Sequence, residues 1–295
     1  MLKNIKHEPP LREAFFLPMK NQRVAIQGLR GSFHHEASLH FFNEEIELCE
    51  CETFSDVADA VVTKRADVAL MAIENSLAGC IIPNYALLRS NPVEVCGEVG
   101  LRVKMNLMAL SGTNVADIQE AHSHQMAIRQ CGGFFQNHPH VKIVEAFDTA
   151  GSAKYIQDNK LQNIGAIASQ QAAKEYNLEI IESGIEDNLL NYTRFLVLRN
   201  KGGEQIEDPN KVSVYFQTKN DPGSLANTLT IISGLGINLG KLQSHPVPSK
   251  NSLYGFYATL EIEEASQLTD LQQIMKRMTI QFEILGIYKK GETHG

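Results

Sequence analysis

The order of elements along the chain predicts an α/β protein of two lobes around a cleft, followed by a small βαββαβ sandwich. Three observations predict it. Short apolar strands alternate with amphipathic helices from residue 22 onward. A long extended run at 93–110 breaks that rhythm and can cross from one lobe to the other. A polar linker at 199–211, with Gly202-Gly203 and Pro209, separates a last block with a different order.

Residues 23–27 (RVAIQ) form an apolar strand that stops at Gly28, and Gly31-Ser32 opens a helix through Phe42. Residues 46–51 read as a strand and 55–64 as a helix that Ser55 or Asp56 can cap. Residues 67–73 (DVALMAI) form a buried strand running straight into Glu74-Asn75-Ser76, and 81–89 a further helix. Beyond the extended run, helices are predicted at 123–134, 149–158 and 169–176, and strands at 141–146, 163–168 and 195–198. Lobe one is therefore expected at 22–97 plus 190–200, and lobe two at 98–189. After the linker, strands at 212–217, 239–246, 254–262 and 280–288 and helices at 224–234 and 266–278 give a ferredoxin-like sandwich at 211–289. Residues 1–20 are read as an extension.

The 295 residues, 43% hydrophobic and 21% charged, suit a soluble protein of about two domains. A formal charge of −7 and the lack of any Lys/Arg run exclude a nucleic-acid footprint, while a local site for a small anion stays open. Five cysteines without CxxC spacing (Cys49, Cys51, Cys80, Cys96, Cys131) argue for a reducing, cytoplasmic compartment. No stretch approaches the roughly 20 apolar residues of a membrane span. The apolar patch at 14–19 lacks the cleavage site of a signal peptide.

Several segments carry chemistry. Gly28-Leu29-Arg30-Gly31-Ser32, between a strand and a helix, suits an anion held by backbone amides, or is simply a tight βα turn. Glu74-Asn75-Ser76 ends a buried strand, where open sheets bind ligands; a capping box for the next helix is the equal alternative. In Asn191-Tyr192-Thr193-Arg194-Phe195, Arg194 could grip a carboxylate and Thr193 bond a leaving hydroxyl, or Arg194 could merely pair at the surface. The histidine pairs His122/His124 and His138/His140 lack metal-ligand spacing, so no metal is expected.

Taken in order, these motifs resemble the prephenate dehydratase family over nearly all of residues 23–289. The series runs Gly28…Gly31-Ser32-Phe33, Glu74-Asn75-Ser76…Gly79, Ser123-His124…Gln130-Cys131, Asp148-Thr149-Ala150, Ala166-Ile167-Ala168-Ser169…Ala172-Ala173…Tyr176…Leu178 and Asn191-x-Thr193-Arg194-Phe195. The C-terminal block resembles an ACT domain. Gly223-Ser224-Leu225 stands where that family has Gly-Ala-Leu, and Gln243-Ser244-His245-Pro246 where the dehydratases have Glu-Ser-Arg-Pro. The family's His-Pro-Gln-Ala-Leu reads His124-Gln125-Met126-Ala127-Ile128, so its glutamine position is Met126 with Gln125 beside it.

The resemblance implies a type II periplasmic-binding-protein-like catalytic unit at 22–200 and an ACT domain at 211–289. It implies conversion of prephenate to phenylpyruvate with loss of water and CO2, without metal or organic cofactor, and inhibition by L-phenylalanine. Thr193 would donate to the departing hydroxyl, with Glu74 or His124 as proton source. Arg194 and the amides at Gly31 and Ser32 would neutralise carboxylates. Asn75, Ser76, Ser123, Gln125, Thr149, Asn191 and Phe195 complete the expected substrate site. Gly223, Ser224, Leu225, Gln243, Ser244, His245 and Pro246 form the expected phenylalanine site. A homodimer or homotetramer is implied, with no nucleic-acid or membrane partner. Arogenate dehydratase and a non-catalytic amino-acid sensor are the alternative readings.

Overall fold

The computed structural model describes residues 22–42, 46–247 and 253–295; the expected extension at 1–20 lies outside them. Lobe one comprises β1 (Arg23–Gln27), α1 (Phe33–Phe42), β2 (Glu47–Cys51), α2 (Phe54–Val62), β3 (Val68–Asn75), β4 (Gly79–Cys80), α3 (Ile82–Ser90) and β5 (Val93–Arg102). Lobe two follows as β6 (Asn106–Ala109), β7 (Glu120–His124), α4 (Gln125–Arg129), α5 (Gly132–Gln136), β8 (Lys142–Ala146), α6 (Thr149–Asn159), β9 (Ile164–Ala168), α7 (Gln170–Glu175) and β10 (Glu179–Ser183). The chain returns to lobe one in β11 (Tyr192–Asn200). The C-terminal sandwich is β12 (Lys211–Thr218), α8 (Ser224–Gly234), β13 (Asn238–Pro246), β14 (Tyr254–Glu261), α9 (Ala265–Met278) and β15 (Gln281–Tyr288), with a last short strand β16 (Thr293–His294).

Local chemistry explains most of these elements. The six residues Val68–Ile73 are all buried, as a strand covered on both faces must be. Helix α2 starts from a capping box in which Thr53 accepts from the Asp56 amide and Asp56 accepts from the Thr53 amide. Thr53, rather than Ser55 or Asp56, is the cap. The helix expected over 123–134 is different in kind. Ser123 and His124 end strand β7, and a break at Gln130-Cys131 divides the remainder into two short helices, the second opening on Gly132-Gly133.

Two sheets organise the molecule. Lobe two is a five-stranded sheet of order β10-β6-β9-β7-β8. The other sheet has 11 strands, in the order β13-β14-β12-β15-β5-β11-β3-β1-β2, with β16 on β5 and β4 on β3. It therefore runs unbroken from the sandwich into lobe one. The junction is a parallel contact of Gly286 with Val95. A Cβ on Gly286 would lie 2.1 Å from the Val95 carbonyl oxygen, so only glycine fits. All of Val93–Arg102 belongs to the large sheet, so the crossing to lobe two falls at 103–105, later than the boundary at 97–98 expected from the sequence. The long extended run is two strands broken there, where the Val103 amide donates to the Asn191 carbonyl.

Lobe one packs α1 on one face of its sheet and α2 and α3 on the other, and Phe33 of α1 reaches the cores of both lobes. β1, β2 and β3 are parallel, so their carboxyl ends share one edge. β11 is antiparallel to β3, which brings its first residues to that edge. In lobe two the carboxyl ends of β7, β8 and β9 share an edge, and the two edges face each other. Ser169 donates to the Gly31 carbonyl at 2.5 Å and Tyr176 to the Arg30 carbonyl at 2.7 Å across the divide.

Candidate active site

Asn75 is the centre of a hydrogen-bonded web at the edge of lobe one. Its Oδ1 accepts the amides of Leu77 and Ala78, both at 2.9 Å. Backbone amides can only donate, so the other side-chain atom must be Nδ2. That nitrogen donates to Asn191 Oδ1 at 2.7 Å, Thr193 Oγ1 at 3.0 Å and the Tyr192 carbonyl at 3.2 Å, two hydrogens shared among three oxygens. Asn191, 1% exposed, passes its own Nδ2 to Gln130 Oε1 of lobe two at 2.9 Å. Ser76 Oγ donates to the Leu190 carbonyl and accepts from the Tyr192 amide. The Thr193 hydroxyl thus receives a hydrogen bond, and its own proton has no acceptor among the described residues. Sequence reasoning passed over Gln130 as a site residue, although the motif series includes it.

Strand alternation separates Thr193 from Arg194. Phe195 and Val197 face the core under α1, whereas Leu196 and Leu198 face α2 and α3. Thr193 shares the first face and Arg194 the second. Every nitrogen of Arg194 is occupied. Nε donates to Glu98 at 2.7 Å, Nη1 to Glu74 at 3.2 Å and Thr259 at 3.4 Å, and Nη2 to Tyr288 at 3.0 Å. Glu74 also pairs with Lys241, and Glu98 with Lys211 at 2.6 Å. Burial opposes the Arg194 charge, but Tyr288 and Glu98 outweigh it and hold its pKa above the usual value. Burial, then the neighbouring Arg194 charge, lowers that of Lys211. Arg194 is therefore not the free two-pronged grip expected from the sequence. Glu74, which accepts from Arg194 with one oxygen and pairs with Lys241 through the other, sits among cations as a carboxylate does, rather than as an acid reaching Thr193.

The Gly28–Ser32 turn is also internally satisfied. The Gly31 amide donates to His35 Nδ1 at 3.1 Å and the Ser32 amide to the Leu29 carbonyl at 3.0 Å, so neither is free for an anion. In lobe two, Ser123 is buried and donates to the Ile167 carbonyl at 2.6 Å. His124 caps α4 through Nδ1, which accepts the Met126 amide, and its Nε2 has no protein partner among the described residues. Gln125 donates to Glu145, and Thr149 opens α6 behind its cap Asp148. Phe195 is a core residue whose ring meets His34 edge-on at 4.9 Å.

Two cavities adjoin these residues. One of about 360 Å³ is lined by Glu74, Asn75, Ser76, Tyr192, Thr193 and Arg194 together with Glu98, Lys211 and Lys290. The motifs at 74–76 and 191–195 therefore share it. The other, about 670 Å³, lies between Gly28–Leu29 and Cys51 of lobe one and Asp148–Gly151 of lobe two, and its walls carry Glu50, Glu52, Glu145 and Asp148 but no Lys or Arg. Four carboxylates repel an anion, while three cations against two carboxylates in the smaller cavity attract one.

In the sandwich, Gly223 caps α8 at φ +82°, and Leu225 lies on the apolar face of that helix over the sandwich core. On β13, Leu242 joins that core, and the strand places Ser244 and Pro246 on the same side. Gln243 and His245 alternate to the opposite side, where His245 stacks on Tyr257 with ring centroids 5.0 Å apart. A single chain does not bring Gln243 and His245 to α8.

Comparisons with known proteins show the family and the fold. A family model described as prephenate dehydratase matches residues 24–203, more than half of the chain. A bifunctional chorismate mutase/prephenate dehydratase of Aquifex aeolicus is 31% identical over 273 residues, covering 92% of this chain and 74% of that one. An arogenate dehydratase/prephenate dehydratase 2 of Arabidopsis thaliana is 35% identical over 260 residues, covering 83% and 67%. Among solved structures, GqqA, described as a novel type of quorum quenching acylase, aligns at TM-score 0.82 and 29% identity over 91% of this chain and 98% of that one. A prephenate dehydratase of Arthrobacter aurescens, in complex with L-Phe, aligns at TM-score 0.80 and 23% identity over 91% and 90%, a likeness of fold.

Proposed function

Because the chain belongs to the prephenate dehydratase family, it is a lyase that turns prephenate into phenylpyruvate, and we propose that Thr193 and Asn75 carry the dehydration. The carrying observation is the fixed orientation of Asn75, whose Nδ2 gives the Thr193 oxygen a hydrogen bond and leaves the threonine proton to donate. The ring carboxylate departs as CO2, its bonding electrons complete the aromatic ring, and the ring hydroxyl leaves. Thr193 stabilises the charge that builds on that oxygen. His124, whose Nε2 has no protein partner among the described residues, delivers the proton that completes water, through solvent. Ser76 and Asn191 hold the turn beneath the substrate, and Gln130 ties it to lobe two. The cationic side of the smaller cavity, with Arg194, Lys211 and Lys290, favours a dianion. Ser123, Gln125 and Thr149 shape the facing lobe, and the Gly31–Ser32 turn belongs to lobe one at the divide.

The same web argues against acyl transfer by Thr193. A nucleophilic hydroxyl needs a base to take its proton, and here its partner is a donor. We read the two-lobed unit as type II periplasmic-binding-protein-like, supported by its two chain crossings, and the sandwich as an ACT domain that binds L-phenylalanine. Gln243 and His245 lie on the far side from Gly223-Ser224-Leu225, so a site using both needs a second copy, which supports a homodimer or homotetramer. Five unpaired cysteines support a cytoplasmic setting, and among the described residues no helix is long and apolar enough to cross a membrane.

The test is phenylpyruvate formation followed by its ultraviolet absorbance, with prephenate and arogenate side by side. Thr193→Ala should lower kcat by about 10²–10⁴-fold. Near-normal turnover would remove Thr193 from the reaction. Faster turnover of arogenate would reassign the substrate.

A further inference from the structure

The ionic cluster behind the site has a regular plan. Each of the four sandwich strands gives it one group: Lys211 from β12, Lys241 from β13, Thr259 from β14 and Tyr288 from β15. Each of the three lobe-one strands that meet there gives one as well: Glu74 from β3, Glu98 from β5 and Arg194 from β11. Arg194 is the member bonded to both carboxylates, and it directly follows Thr193 in the chain. The charged members are shielded to different degrees, from Glu98 with 5% and Lys211 with 11% of the side chain exposed to Glu74 with 28%. Buried charges of this kind hold their partners to one geometry, because a displaced partner leaves an unpaired charge out of water. A shift of the sandwich is thereby transmitted to β11 at the residue next to the reacting hydroxyl.

We propose that Arg194 is a positioning residue through which the C-terminal sandwich fixes where β11 presents Thr193. The inference rests on the reading of Thr193 given above. It assigns Arg194 to the joint between the two units, acting on the substrate through its neighbour. Lys241 and Tyr288 lie outside the cavity wall, and their side chains reach the site through Glu74 and Arg194. They are the places to perturb.

The experiment compares the full chain with Lys241→Met, Tyr288→Phe and Lys241→Arg, reading steady-state kinetics and amide hydrogen exchange at residues 192–195. A hydroxyl displaced by a fraction of an ångström should lower kcat on the order of 10- to 100-fold in the first two variants. KM should stay within about twofold, since no substrate contact is lost. Exchange at 192–195 should quicken, and Lys241→Arg, which restores the cation, should return both readings toward the parent. Unchanged exchange at 192–195 in both disruptive variants would overturn the inference whatever kcat does. So would a kcat equal to the parent's in both. Tyr288→Phe removes a single oxygen and carries the test if Lys241→Met fails to fold. Full turnover by Thr193→Ala would sink the reading of Thr193, and the exchange data would then decide the tie by themselves.

Discussion

Asn75→Asp is the sharpest perturbation the site permits, because it changes one nitrogen to oxygen and little else. The retained oxygen still accepts the Leu77 and Ala78 amides, so the turn keeps its bonds. The new oxygen faces Thr193 Oγ1, Asn191 Oδ1 and the Tyr192 carbonyl, at what are now donor distances of 3.0, 2.7 and 3.2 Å. All three contacts become acceptor against acceptor. Thr193 must turn its proton toward the introduced carboxylate, which removes that proton from the departing hydroxyl. Asn191 must flip, and Gln130, bonded to it at 2.9 Å, must flip in turn. Loss of one donor at a developing oxyanion costs about 10²–10³ in kcat, or about 3–4 kcal/mol. Stability should change by less than about 1 kcal/mol, since the introduced charge is only half-buried and the turn is intact. Phenylpyruvate absorbance at saturating prephenate gives kcat, and urea unfolding gives stability. A variant with kcat within about threefold of the parent would refute the assignment of donor and acceptor at Thr193.

Other outcomes follow from separate features. Burial holds the His34 imidazole at about 4 against an ordinary 6.5. The unfolded chain therefore takes up the proton first, so the stabilising contribution is complete above pH 6.5 and is lost as the pH falls through 4. The loss is about 3 kcal/mol, and in urea unfolding His34→Leu should lose less stability than the parent between pH 7.5 and 4.5; parallel losses would contradict it. Gly31→Ala places a Cβ 2.7 Å from Ala172 Cα at a φ of +80°, so urea unfolding should show a loss of at least about 1–2 kcal/mol from the backbone alone, and an unchanged midpoint would show that the lobes part freely there. Saturating L-phenylalanine should raise the melting temperature, since about 100 Kd of a ligand for the folded form adds about 2.7 kcal/mol; no shift would remove Gly223–Leu225 and Gln243–Pro246 as its site.

Much of this was readable in the sequence, and the gaps have physical causes. Strands β1 and β3 announce themselves because both faces are buried along Val24–Ile26 and Val68–Ile73, where every residue is apolar. β7 (EAHSH) and β10 (EIIES) escape notice because each carries polar, partly exposed residues and has no long apolar run to mark it. The motifs at 74–76 and 191–195 do share a cavity, as their chemistry suggested. The adjacency of Thr193 and Arg194 in one motif invited a shared role, yet neighbours on a strand face opposite ways. The sandwich partners of Arg194, Thr259 and Tyr288, lie 65 and 94 residues along the chain, in a unit whose sequence gives no sign of that contact.

The unbroken sheet between sandwich and lobe one also bears on how such a protein can be taken apart. A cut after residue 203, where the family match ends, would strip Lys211, Lys241 and Tyr288 from Glu98, Glu74 and Arg194, and would bare the edge of β5. What resembles a detachable sensor on a tether is instead structural timber shared with the enzyme. Grafting a foreign ligand-binding module in its place would have to rebuild a charged joint strand by strand; a linker of suitable length would not suffice.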